Sequence, residues 1–216
     1  MRLALFGPPG AGKGTQAKRL AQSHGLDHLS TGDLFRAAIR DETDLGRRVT
    51  ALLKAGELVP DDVTNGIVAE RLAALDYGAF VLDGYPRTVA QAEWMVDHLA
   101  DAGAPLDAVV SLRVPDESVV ARLSRRRTDV ETGAIYHLDF NPPPADVPAE
   151  RLKHRSDDEP DAIRHRLEVY HAETAPVEAY LRAHVRFFEV DGTGGLDEVQ
   201  ARIEGVLAQD RGLAGV

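Results

Sequence analysis

The stretch Gly7 to Thr15, GPPGAGKGT, constrains this chain more than any other. It follows a continuous apolar run, Leu3-Ala4-Leu5-Phe6, and opens onto a helix-prone segment, Gln16 to His24. Strand, glycine-rich turn and helix, in that order, are the context in which G-x-x-x-x-G-K marks a phosphate-binding loop. Glycines let successive backbone N–H groups converge on one concavity, which binds an anion. The helix that follows adds the positive end of its dipole. Lys13 brings a full charge within reach of the outer phosphates. The hydroxyl stands one place late, because Gly14 follows Lys13 and Thr15 comes after it. A direct hydroxyl-to-magnesium bond, the role of a Ser or Thr placed right after the lysine, does not follow from that order.

Beyond the loop, apolar runs recur at Leu26–Leu29, Phe80–Leu82, Ala108–Val114 and Val185–Val190, each separated from the next by helical periodicity. With the run at residues 2–6 they predict a five-stranded parallel sheet covered by helices on both faces, an α/β fold. Ser30 with Asp33 three residues later reads as a helix start. Two stretches break the alternation. Residues 30–59 hold short helical patterns, Leu34–Asp41 and Leu45–Ala55, punctuated by Gly46 and Gly56 and too poor in large apolar residues for a core of their own. Residues 125–159 carry Gly133, the run Pro142-Pro143-Pro144 and Pro148, with Ile135–Leu138 as one short strand; their size and polarity suit a lid. The core is then 1–29, 60–124 and 160–216, with hinges expected near Gly25, Pro60, Thr128 and Pro160. Pro176 is expected to interrupt the helix that begins at Asp161, and the tail after Asp210 to fray.

Charge sharpens the expectation. The net charge is −10, from 35 acidic and 25 basic residues, so bulk charge does not suggest a nucleic-acid partner. Polyphosphates then require positive charge concentrated locally. Arginines supply it: Arg87 follows the strand-end Asp83, Arg122 and Arg126 are spaced to share one helix face, and Arg155 and Arg166 lie at and beyond the end of the lid stretch. There is no cysteine, which removes disulfides and cysteine-based zinc sites. His137, His154, His165 and His171 show no metal-ligand spacing. No run reaches membrane-spanning length, and the N-terminal apolar run is too short for a signal peptide; a cytoplasmic monomer is the expectation.

Five segments together, GPPGAGKGTQA, STGDLFRA, LDGYPRT, YHLDFNPP and VDGT, in this order over residues 1 to about 210, resemble adenylate kinase nearly word for word. The resemblance implies a P-loop core with two mobile insertions, one binding the nucleoside monophosphate and one acting as lid. It also implies the reaction ATP + AMP ⇌ 2 ADP with magnesium. By resemblance, Gly10, Ala11, Gly12, Lys13, Gly14 and Thr15 hold the ATP phosphates, and Arg122, Ile135, Tyr136 and Gly194 border the rest of ATP. Thr31, Arg36, Glu57, Leu58, Val59, Gly84, Tyr85, Pro86, Arg87, Gln91, Arg155 and Arg166 form the AMP site, with Arg36 and Arg87 holding its phosphate. Lys13, Arg87, Arg122, Arg126, Arg155 and Arg166 surround the transferring phosphoryl group, and Asp83 orients magnesium through its water ligands. Arg125, Arg127, Arg151 and Arg164 match no motif and read as surface charges.

The chain departs from the family pattern at two places. Glu57 stands where a lysine is more frequent, next to Leu58 and Val59, whose backbone is expected to meet AMP. In the lid, Asp129 and Thr132, then Ala145 and Pro148, fall where some members carry four zinc cysteines. Neither zinc nor a full polar network in its place is expected. Packing around Tyr136, Phe140 and Pro142–Pro144 is expected to hold the lid instead. Two other functions compete with this one: a monophosphate kinase for another base, against which Thr31 and Gln91 argue, and a non-catalytic nucleotide switch, against which both insertions argue.

Overall fold

The computed structural model describes the backbone of residues 1–213 and the side chains of residues 1–209. Five strands form the expected parallel sheet: β1 (Arg2–Phe6), β2 (Asp27–Ser30), β3 (Phe80–Asp83), β4 (Ala108–Arg113) and, after three more strands described below, β8 (Phe187–Asp191). Their order is β2-β3-β1-β4-β8. Successive side chains of a strand point to opposite faces, and β1 shows both faces buried. Leu3 and Leu5 join one cluster, with Ala17 and Leu20 of α1 (Lys13–His24), Val119 and Leu123 of α6 (Asp116–Ser124) and Ile203 of α9 (Leu196–Leu213). Ala4 and Phe6 join the other, with Val68 of α4 (Asp61–Ala74), Met95 of α5 (Val89–Asp101) and Leu181 of α8 (Val177–His184). Burial on both sides is why these strands read as unbroken apolar runs. The chain after β2 returns to β3 on one side of β1, whereas β4 and β8 lie on the other. The loop leaving β1 therefore opens at the switch point, where α/β sheets bind ligands.

Between β2 and α4 lie α2 (Thr31–Arg40) and α3 (Asp44–Ala55). The Ser30 hydroxyl accepts from the Asp33 N–H at 3.3 Å, so the sequence signal for this helix start holds. This stretch does have a small core, contrary to expectation. Phe35, Val49 and Val59 are buried, and Val63 and Ile67 of α4 close the cluster from outside the stretch. Gly46 is not punctuation either. It sits in the first turn of α3, where a Cβ would lie 2.1 Å from the Ala38 carbonyl oxygen, so only glycine lets α3 approach α2 this closely.

The lid differs most from expectation. It is a three-stranded antiparallel sheet, β6-β5-β7, of β5 (Arg126–Asp129), β6 (Ile135–His137) and β7 (Leu152–Lys153). Helix α6 stops at Ser124, so Arg122 and Arg126 do not share a helix face; pairing of residues 126–128 with 135–137 takes Arg126 into a strand. Thr128 pairs with Ile135 on one side and Lys153 on the other, so it lies inside the lid's own sheet. The lid also has the polar clasp that was not expected. The Asp129 carboxylate, 1% exposed, accepts from Arg151 Nε at 3.0 Å, from the Thr132 hydroxyl at 2.8 Å and from the Glu131 N–H at 3.0 Å. Arg151 is thus no surface charge. Phe140 is 65% exposed and stacks on His137, so aromatic packing does not fill a lid core.

After the lid, α7 (Pro160–Val169) passes into a π-helical turn, Tyr170–Thr174, and Pro176 caps α8. The interruption expected at Pro176 therefore begins at Tyr170. Helix α9 runs on to Leu213, so residues 211–213 are helical where fraying was expected, and the rest of that tail, 214–216, lies outside the described residues. Among the described residues, no helix is long and apolar enough to cross a membrane.

Candidate functional site

The strand ends at the carboxyl edge of the sheet place the first residues of the site. β1 delivers Gly7 and the loop to Thr15, β2 delivers Ser30 and Thr31, and β3 delivers Asp83 and Gly84. One large cavity is lined by the loop from Gly10 to Thr15, by Arg36, Asp83, Gly84 and Arg87, by Arg122, Ile135, Tyr136 and Gly194, and by Arg126, Arg155 and Arg166. The core, the α2–α3 stretch and the lid all contribute to it. Apart from the acceptor-side group below, the structure brings together every residue read as facing ATP or the transferring group.

Lys13 donates from Nζ to the Gly7 carbonyl at 2.7 Å and the Pro8 carbonyl at 2.8 Å. Burial lowers its pKa to about 7, and the charges of Arg87, Arg166 and Arg126 push the same way against the attraction of Asp83. Burial alone would raise the pKa of Asp83. The neighbouring His28 ring, the charge of Lys13 and Ser30 outweigh that and hold its carboxyl below the usual range. The reason for glycine at position 14 is visible here. A Cβ on Gly14 would stand 2.9 Å from Asp83 Oδ2. The position after the lysine is kept bare so that a carboxylate can approach the loop.

The arginines are held by partners of three kinds. Backbone carbonyls accept from Arg122 (Gly192, 2.9 Å) and Arg87 (Gly84, 2.8 Å). Hydroxyl and surface carboxylate groups accept from Arg155 (Thr128, 2.8 Å) and Arg36 (Asp33, 2.6 Å). Two acidic residues that the motifs did not single out hold the rest. Asp158 is 0% exposed and takes both Arg126 Nε (2.7 Å) and Nη2 (2.6 Å), a bidentate fork, with Arg166 Nη1 at 3.3 Å. Asp157 pairs with Arg166 at 2.9 Å. A sequence clue existed, since Asp157 and Asp158 stand two and three residues after Arg155 and precede Arg166 on the next helix. Even so, positive charge remains in excess. Burial, then the charges of Arg166 and Arg36, lower the pKa of Arg87 to about 10; burial, then Arg126 and Arg36, lower that of Arg155 to about 9. Groups crowded this way gain from any anion that enters.

A second, smaller cavity shares Gly32, Arg36, Gly84, Arg87 and Arg166 with the first. It is also lined by Thr31, Phe35, Glu57, Leu58, Val59 and Gln91. The Thr31 hydroxyl donates to the Gly84 carbonyl at 3.0 Å. Glu57 turns its carboxylate to His165 Nε2 at 2.7 Å. Tyr85 is 1% exposed and is a core residue, its hydroxyl donating to Asn65 Oδ1 at 2.7 Å; Pro86 borders a cleft beneath Lys13. Among the described residues, no group of three or more His, Asp or Glu side chains is placed to hold a metal ion. A lone ionised carboxylate beside a phosphate loop suits a magnesium ion that keeps its waters and takes its other ligands from phosphate.

Comparison with known proteins agrees with this geometry. A family profile described as adenylate kinase matches residues 5–185. The adenylate kinase of Salinibacter ruber is 51% identical over 207 residues, 96% of this chain and 98% of that protein. Those of Streptomyces griseus (46% identical, 98% and 100% covered) and Carboxydothermus hydrogenoformans (43%, 96% and 99%) are alike over the same extent. A profile that runs from the phosphate loop through both inserted stretches, and relatives alike from end to end, place this chain in the adenylate kinase family.

Proposed function

We propose that this chain transfers the terminal phosphoryl group of ATP reversibly to AMP, giving two ADP. The observation that carries the reading is that two cavities share one wall of arginines. The phosphate loop with Lys13 lines one, Thr31, Val59 and Gln91 line the other, and Arg36, Arg87 and Arg166 border both. Phosphoryl transfer needs little covalent help from protein. It needs two nucleotides in line, charge neutralised around the moving group, and water kept out. ATP phosphates lie against the loop amides and Lys13, with Tyr136 and Gly194 bordering the nucleoside. AMP lies with its phosphate toward Arg36 and Arg87 and its base toward Gln91. Arg122, Arg126, Arg155 and Arg166 face the transferring group, and closure of residues 30–59 and 125–159 over the core excludes water. Magnesium, when bound with ATP, neutralises charge on the terminal phosphates; Asp83 would hold it through its water ligands.

A coupled ADP-forming assay with AMP, GMP, UMP and CMP as acceptors tests the reading. AMP should be preferred, and preference for another base refutes it. Arg87→Ala should lower turnover by about 10²-fold or more. An unchanged rate would mean that Arg87 does not face the reacting phosphate.

A further inference from the structure

Gln91 is 2% exposed, and its amide is held at both ends. Oε1 accepts from the Arg87 backbone N–H at 2.8 Å, and Nε2 donates to Asp61 Oδ1 at 2.7 Å. Asp61, the first residue of α4, is fixed in turn. Its Oδ2 accepts from the Thr88 hydroxyl at 3.0 Å, and Thr88 Oγ1 accepts the Gln91 N–H at 3.1 Å. A primary amide has two N–H donors and two lone pairs. After these bonds Gln91 keeps one N–H and one lone pair, and its side chain lines the acceptor cavity.

We propose that Asp61 is a specificity-determining positioning residue: it fixes which way round the Gln91 amide sits, and so which group at purine C6 the pocket takes. The inference rests on AMP being the acceptor and on its base lying against Gln91. A 6-aminopurine offers a donor at N6 and an acceptor at N1. A 6-oxopurine offers an acceptor at O6 and a donor at N1. The observed amide meets the first pair, with Oε1 toward N6 and Nε2 toward N1. An amide turned by half a rotation would meet the second equally well, so Gln91 alone does not discriminate. The turned amide would set Oε1 against the Asp61 carboxylate and Nε2 against the Arg87 N–H. Two acceptors and two donors would then face each other in a buried place, leaving four polar groups unpaired. A carboxylate accepts and never donates, and a backbone N–H donates and never accepts, so Asp61 and the Arg87 N–H together forbid the turn, and Asp61 is the side chain of the two.

Asp61→Asn lifts the Asp61 half of that prohibition, because its amide can present either face and the Thr88 hydroxyl can rotate to suit; the Arg87 N–H alone then opposes the turn. The test compares kcat/KM for AMP and for IMP, with ATP as donor, in the unaltered protein and in Asp61→Asn. The preference for AMP should fall about tenfold, carried by a rise in the IMP value. In a Gln91→Leu background the same substitution should leave the ratio where it was. A ratio within about twofold of the unaltered protein's overturns the proposal, as does a fall in AMP use with no gain for IMP, the mark of a merely structural residue. If Asp61→Asn does not fold, Asp61→Ser, whose hydroxyl also donates or accepts, answers the same question. Unaltered protein that does not phosphorylate AMP overturns the proposed activity; AMP turnover with an unmoved ratio overturns this inference alone.

Discussion

Replacing Asp158 by Asn tests whether the arginines of the site are neutralised by the protein itself. The substitution keeps the volume and one acceptor oxygen but removes the charge. Asp158 is 0% exposed, Arg126 is 17% exposed, and the fork between them spans 2.7 and 2.6 Å, with Arg166 a further partner. Removing one partner of a buried pair costs about 3–5 kcal/mol, because the other charge is left uncompensated. With one acceptor retained, the low end, about 3 kcal/mol, applies. For a chain of this size each kcal/mol moves the melting temperature by about 2–4 °C, so the drop should be about 6–12 °C. Calorimetry at pH 7 reads it. The second arm adds a bisubstrate ligand, two adenosines joined by a polyphosphate. Its oxygens face the guanidiniums that lost their carboxylate, so the variant should gain more from the ligand than the unaltered protein does. A drop under about 2 °C, or equal gains from the ligand, would refute the claim that Asp158 balances buried charge.

Gly14→Ala puts a Cβ 2.9 Å from Asp83 Oδ2. Magnesium-dependent turnover should fall by about 10²-fold while the melting temperature barely moves; normal turnover would show that Asp83 has no work at the loop. Lys13 has its pKa lowered from 10.5 to about 7, so between those values the folded chain holds fewer protons than the unfolded one. Its contribution to stability therefore rises with pH across that window. Binding of a polyphosphate restores the charge, so ATP should bind with uptake of nearly one proton at about pH 8. Calorimetry in buffers of different ionisation enthalpy measures this; the uptake should vanish in Lys13→Met, and its absence from the unaltered protein refutes the shift. Arg151→Ala leaves the Asp129 carboxylate buried without its cation. Limited proteolysis should then cut faster within residues 126–153 and no faster in the core, whereas equal rates throughout would leave the clasp without a role.

What could be read from the chain, and what could not, divides along a physical line. Strands buried on both faces announce themselves as LALF, FVLD and AVVSL, because a parallel sheet under two helix layers admits few polar side chains. Lys13, Arg36 and Arg87 stand in motifs whose spacing is local. The partners of Arg126, Asp129 and Gln91 do not. Asp158 lies 32 residues from Arg126, Arg151 lies 22 from Asp129, and Asp61 lies 30 from Gln91. No periodicity links such pairs; only the folded register of β5 with β7, or the approach of α4 to α5, brings them together. The omission matters chemically. A pocket of unpaired arginines would bind phosphate by simple attraction. In this site Asp157 and Asp158 already hold Arg126 and Arg166, so on our reading an incoming phosphoryl group exchanges one anionic partner for another. Exchange of this kind keeps a crowded cation cluster foldable before substrate arrives. It also lets the arginines turn to the transferring group when charge builds there, without first drawing them out of water.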